Sequence, residues 1–207
     1  DTGTSPESYR AALMSAGGML AAVDAIFDGK VDHVYAATRP PGHHAEANRS
    51  ANDRLEFFVH DMRHLFRTNY YHYVFNFFTS FGYFEREQDN LNTLKAAYKA
   101  LKPGGTLVID FMNAEKAIAN LVPEETIQKN GIVFHIKRKV QEGRIIKSIR
   151  FEDDRQPFYF EERVQALVLD DFQRYFEQTG FKLKDTFGNY QLQPFEAAAS
   201  DRLILVA

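Results

Sequence analysis

Apolar residues along this chain follow two different periods. Over 73–78 and 106–112 they run almost without interruption, as strands buried on both faces of a parallel sheet do. Between those runs Leu91, Leu94, Tyr98 and Leu101 recur at three- and four-residue spacing, predicting a helix over 89–101 with that stripe against the sheet. Pro103 stops the helix, and Gly104 and Gly105 allow a tight turn over 102–105 into the second strand. The expected unit is βαβ with a right-handed crossover.

The same reading extends both ways. Thr4 and Glu7 have capping-box spacing, and Tyr9, Leu13, Ala16, Leu20, Val23 and Phe27 predict an alanine-rich helix ended by Gly29. A short strand over 31–37, a polar loop over 38–50 and a strand over 55–60 follow. Downstream, Asn113 caps a helix over 114–121. Segments 132–140, 144–151 and 157–167 alternate apolar with charged residues and predict a half-exposed antiparallel meander. Asp170 opens a helix bearing Phe172, Tyr175 and Phe176, Gly180 ends it, and strands over 181–187 and 203–207 close the sheet.

Composition narrows the classes. With 207 residues, 44% of them apolar, and a net charge of -3, the chain is expected to form one soluble domain. That charge balance gives no reason to expect nucleic acid or an anionic membrane as partner. The absence of cysteine removes disulfides and thiolate metal sites and makes a reducing cytoplasm the expected setting. No apolar run reaches the length of a membrane span, and the polar first residues argue against a signal peptide. Asp1 in place of a methionine reads as a cut or processed boundary. The 19 phenylalanines lie mostly after residue 55, so the front of the chain differs in composition from the rest.

Two stretches, Val74-Phe75-Asn76-Phe77-Phe78-Thr79-Ser80-Phe81-Gly82-Tyr83-Phe84 and Leu101-Lys102-Pro103-Gly104-Gly105-Thr106-Leu107-Val108-Ile109-Asp110, resemble the middle of a class I S-adenosylmethionine-dependent methyltransferase. The resemblance covers residues 53–207. It implies an α/β, Rossmann-like sheet, mostly parallel with an antiparallel last strand, an antiparallel β insert over 131–167 roofing the acceptor site, S-adenosylmethionine as cofactor and a small-molecule acceptor. Asp61 and Met62 match the family's adenine contacts, Asp61 accepting from the amino group and Met62 packing on the ring; read alone, Asp61 is equally a turn or cap residue. Phe77, Thr79 and Ser80 match positions that touch the methionine end, though Phe77 and Phe78 also read as core. Tyr83, with Phe84, reads either as lining an acceptor pocket or as covering the sheet, and Asn113 either as facing that pocket or, more commonly, as an exposed helix cap. His72 departs from the family pattern and reads as a surface residue; His135 and Lys137-Arg138-Lys139 read as structural and solvated positions of the meander.

The front segment resembles another family. Asp1-Thr2-Gly3-Thr4-Ser5-Pro6-Glu7-Ser8-Tyr9 and Arg39-Pro40-Pro41-Gly42-His43-His44-Ala45-Glu46 are similar to the histone deacetylase and acetylpolyamine amidohydrolase superfamily. The resemblance implies general acid–base roles for His43 and His44 beside a zinc-bound water. It ends at Ser50, and the Asp-x-Asp-x-His-His-Gly strand that brings zinc ligands is absent, so no metal is expected. An amidohydrolase would have to recruit Asp61, His60 or His64.

What a methyltransferase front should carry is also absent: a strand ending in a glycine-rich turn, and a second ending in an acid for the ribose. Gly17-Gly18 fall inside a helix, Gly42 follows two prolines that offer no N–H, and nothing positions Glu46 on a ribose. The expectation is therefore a chimera, 1–50 joined to 51–207 in one fused domain. In it the segment 9–38 takes the place of the first strand and helix, beside 55–60. Donor binding and activity are expected to be impaired or lost, and exposed strand edges to favour a homodimer or segment exchange. A folded, inactive recombinant is the competing reading.

Overall fold

The computed structural model describes the backbone of Val34–Thr38 and residues 60–129, 131–153 and 155–207. The helix predicted over 9–27, the loop carrying Arg39, His43, His44 and Glu46, and the strand over 55–60 apart from His60 lie outside the described residues.

Five strands form the main sheet: β1 (Val34–Thr38), β2 (Tyr71–Phe77), β3 (Leu101–Met112), β9 (Arg202–Val206) and β8 (Asp185–Phe187), side by side in that order. The first three are parallel; β9 runs antiparallel to β3, and β8 runs antiparallel to β9, in the direction of the first three. Helix α1 (Glu87–Ala100) crosses over from β2 to β3. One face of the sheet, built from Val74, Leu107, Ile109, Phe111, Leu203 and Leu205, is buried beneath α1 and α3 (Leu169–Thr179). Phe111 is fully buried with its ring 5.3 Å from Phe172; burying such a ring stabilises by roughly 1.5–3 kcal/mol.

Four expectations need correction here. Tyr98 is 49% exposed and leans edge-on against Phe181 at 5.2 Å, because the stripe that meets the sheet is Leu91, Leu94 and Ala97. Among the described residues only one face of β2 is covered: Tyr73, Phe75 and Phe77 stack along the other at 5.9 and 5.0 Å, exposed or half-buried. The strand after the helix opens at Leu101, not Thr106. Tyr71 pairs with Leu101 and Tyr73 with Thr106, so 102–105 bulges out of a continuous strand. Gly105 is essential to that bulge, since a Cβ there would lie 2.9 Å from the Lys102 carbonyl and 3.0 Å from that of His72. Finally, α3 is opened by Asp171, whose carboxylate accepts from Val168 N–H at 3.0 Å, and not by Asp170. Gly180 ends α3 in the left-handed region (φ 89°), as its sequence context predicts.

A second, four-stranded antiparallel sheet follows the short helix α2 (Ala114–Ala119): β4 (Glu124–Lys129), β5 (Ile132–Gln141), β6 (Arg144–Asp153) and β7 (Gln156–Gln165). Strand β4 has no counterpart in the sequence reading, since Glu124-Glu125-Thr126-Ile127-Gln128-Lys129 carries one apolar residue and no alternation to read. The base of this sheet is stitched to the loop after β2. Arg144 donates to the Phe84 and Glu85 carbonyls at 3.0 and 2.9 Å, and Gln165 N–H to the Gly82 carbonyl at 2.8 Å.

Candidate functional site

In an open sheet with parallel strands, ligands collect where the strands end. At that edge β2 runs out into Phe77-Phe78-Thr79-Ser80 and β3 into Asp110-Phe111-Met112-Asn113. Phe78 and Thr79 both stand in the left-handed region, at φ 59° and 57°. Two successive non-glycine residues there are costly, on the order of 1–3 kcal/mol each. Asp110 holds them. It is 1% exposed; its carbonyl accepts from Thr79 N–H at 2.9 Å and its carboxylate from Phe78 N–H at 2.9 Å. The same carboxylate accepts from Arg202 Nε at 2.7 Å and from the Tyr190 hydroxyl at 3.0 Å. Burial pushes the Tyr190 phenol up to about 12, with the Arg202 guanidinium pulling it down and the Asp110 carboxylate raising it further.

Of the expected donor-side residues, Phe77, Thr79 and Ser80 lie together at this edge, the polar groups of Thr79 and Ser80 bonded within it. Thr79 Oγ1 accepts from Met112 N–H at 2.9 Å and from Arg202 Nη2 at 3.3 Å. The Phe77 carbonyl accepts from both Ser80 Oγ, at 2.6 Å, and Ser80 N–H, at 3.2 Å. Phe78 is half-buried on this strained turn and not core as one reading had it. Asn113 is 3% exposed, a buried cap in place of the exposed one expected. Its Oδ1 faces Lys116 N–H, and its amide donates to the Ala197 and Ser200 carbonyls at 2.7 and 2.8 Å. Tyr83 packs, half-buried, against the core.

Asp61 sits apart, on the side of α1. Arg63 donates to both its oxygens, with Nη2 at 2.6 Å from Oδ2, and its backbone N–H to Oδ1 at 3.0 Å. These hydrogen bonds hold the Asp61 carboxyl well below the usual carboxylate range. Met62 Sδ lies 3.9 Å from Asn76 Nδ2, and both residues line an apolar cavity between β2 and α1. That cavity has about 40 Å³ of free space, room for about one water.

A nucleoside with a methionine tail needs free backbone donors and acceptors at the strand ends, and an acid free to take its amine. Here the Phe78, Thr79 and Ser80 N–H groups are taken by Asp110 and Phe77, and both Asp61 oxygens by Arg63, so these residues offer such a group little without rearranging. Among the described residues no group of three His, Cys, Asp or Glu gathers, and His60 Nε2 lies 2.9 Å from the His64 carbonyl.

Comparison with known proteins separates the two parts of the chain. The histone deacetylase domain profile matches residues 1–51. Within that region the chain is 48% identical over 44 residues to a histone deacetylase-like amidohydrolase of Pseudomonas aeruginosa, covering 21% of this chain and 12% of that protein. It is 47% identical over 45 residues to a histone deacetylase of Candida albicans, covering 22% of this chain and 5% of that one. Solved structures match the rest. An S-adenosylmethionine-dependent methyltransferase from Clostridium acetobutylicum superposes with TM-score 0.64 at 15% identity, covering 73% of this chain and 63% of its own. The CcbJ methyltransferase from Streptomyces caelestis superposes with TM-score 0.60 at 16% identity, covering 72% and 61%. The fold is that of the S-adenosylmethionine-dependent methyltransferases. A deacetylase-like segment is joined to it, and the chain spans less than two thirds of the length of either kind of relative.

The residues that sequence reasoning missed are Asp110 as the holder of the turn, Arg202 and Tyr190. A charged residue closing an otherwise apolar strand, and another opening its neighbour, was the available signal. The separations, 80 and 92 residues, hid the pairing.

Proposed function

We propose that this chain derives from an enzyme that moves a methyl group from S-adenosylmethionine to a small molecule, and that donor binding is impaired and turnover lost in it. Methyl transfer from a sulfonium is an in-line displacement in which the protein chiefly aligns donor and acceptor, so it needs no acid–base dyad. A sugar N-methyltransferase from Streptoalloteichus, with TM-score 0.52, illustrates the acceptor class the fold supports. On this reading residues 1–50 and 51–207 make one fused domain, Tyr83 and Asn113 stand on the acceptor side, and Phe77, Thr79 and Ser80 line what is left of the donor edge.

One observation carries the proposal. The strand paired with β2 is Val34–Thr38, and it continues into Arg39-Pro40-Pro41-Gly42. A glycine-rich turn lets backbone N–H groups approach the donor closely, whereas two prolines offer none and hold their backbone rigid. Calorimetric titration with S-adenosylhomocysteine tests this: no saturable heat is expected at millimolar ligand, and micromolar affinity overturns it. The match over residues 1–51 supports a second reading, a zinc amidohydrolase using His43 and His44. Stoichiometric zinc in purified protein together with hydrolysis of an acetyl-lysine reporter would establish that one instead.

A further inference from the structure

The second sheet leaves one edge that matches itself. Among the described residues β4 pairs only with β5, through Ile127↔Phe134 and Lys129↔Ile132, so its outer backbone row is open. Its centre, Thr126-Ile127-Gln128, is uncharged and exposed, with Ile127 39% exposed. The far edge, β7, is guarded by Pro157 and by the adjacent acids Glu161 and Glu162, the devices that keep edges from pairing. On β4 nothing comparable stands at the centre.

We propose that β4 is the interface for a second copy of this chain, the two edges joining antiparallel about a two-fold axis at Ile127. In that register Ile127 meets its own equivalent, Thr126 meets Gln128, and Glu125 of each copy stands opposite Lys129 of the other. The charges agree. Lys129 Nζ is buried without a hydrogen-bond partner, which is costly for an ammonium, and the pairing brings it a carboxylate. Glu125 already holds Arg138 at 2.8 Å through Oε2, so its carboxylate would bridge two cations. The apolar side agrees as well. Ile127, Phe134, Phe151 and Phe158 form a row across the sheet, with ring separations of 4.8 and 5.0 Å. A two-fold normal to the sheet keeps that row on one face and makes it continuous through both copies. This inference is independent of any ligand at the main sheet.

Sedimentation equilibrium of the full chain, with E125K and K129E as variants, tests it. Wild type is expected to sediment at twice the chain mass. Each variant alone places like charges at both opposed pairs and should weaken association about tenfold or more. An equimolar mixture of the two variants restores opposite charges at both positions and should recover the dimer. Circular dichroism checks that each variant keeps its fold, and an unfolded variant is replaced by I127K, which should also be monomeric. A monomeric wild type, single variants that stay dimeric, or a mixture no better than its components overturns the proposal.

Discussion

Replacing Asp110 should destabilise this protein more than any other single polar change at the strand ends. Its carboxylate is 1% exposed and accepts three hydrogen bonds, from Phe78 N–H, Tyr190 and Arg202 at 2.9, 3.0 and 2.7 Å. Asp110→Ala leaves the Arg202 guanidinium, whose side chain is 20% exposed, without its counter-charge. Removing one member of a buried pair costs about 3–5 kcal/mol, because the other charge stays desolvated. The strained Phe78-Thr79 turn also loses one of its three ties to β3, since the bonds from Thr79 N–H to the Asp110 carbonyl and from Met112 N–H to Thr79 Oγ1 survive. Urea unfolding followed by circular dichroism should therefore show a loss of about 3–5 kcal/mol, or a fall in Tm of roughly 6–20 °C for a chain of this size. Asp110→Asn keeps the shape yet turns an amide donor on one of three donors, so most of the loss should persist. Tyr190→Phe removes a single bond and should cost less. A loss under about 1 kcal/mol for Asp110→Ala would refute the idea that this carboxylate holds the turn, as would a double variant with Arg202→Ala showing no coupling.

Two further outcomes follow from local geometry. Gly105→Ala puts a methyl group against two backbone carbonyls, at 2.9 and 3.0 Å, that cannot move without breaking the β2–β3 bulge; thermal melts should show a loss of about 1–3 kcal/mol. Gly104→Ala, at φ 78° with open space around it, should cost only about 1 kcal/mol, so the reverse ranking would be evidence against the bulge. Asp61→Asn should remove a pH-dependent contribution. The folded carboxyl lies below its unfolded value, so the unfolded chain binds more protons between the two and stability rises with pH there. The contribution is complete above the unfolded value of about 3.9 and is lost as pH falls through the folded one. Because the Asp61 side chain is 36% exposed, the wild-type advantage at neutral pH should stay under about 1 kcal/mol. Urea melts from pH 7 downwards should show that gap closing in acid, and a gap that widens would contradict the assignment.

How legible each part was depended on the range of the interaction that made it. The βαβ unit and three strands of the meander could be read because their apolar periods are local, and the structure keeps them within a few residues. The 102–105 bulge could not, because whether a Pro-Gly-Gly run turns the chain or kinks a strand depends on the pairing of Tyr71 and Tyr73, some thirty residues earlier. Strand β4 was silent for a related reason: it is an edge strand with a single apolar residue, Ile127, so no alternation marks a buried face. At the candidate site the residue types at the strand ends were visible as a family pattern. Their mutual satisfaction was not, because Asp110 draws Tyr190 and Arg202 from the far end of the chain.

The pairing of Val34–Thr38 with β2 shows how little a parallel sheet asks of the segment that completes it. Parallel strands are joined by backbone hydrogen bonds, and these ask little of the incoming segment beyond extended geometry and side chains that suit a half-covered face. The backbone of Val34–Thr38 meets the first of these terms: its five residues are in register with Tyr73 to Phe77. A cofactor turn is specified differently. It needs particular φ values, close approach and free N–H groups at the one place where the strand ends, and those requirements are not shared with an unrelated α/β protein. Exchange of a strand between two such proteins therefore conserves the sheet and discards the turn. In this chain the Phe78 and Thr79 N–H groups at the end of β2 are both taken by Asp110.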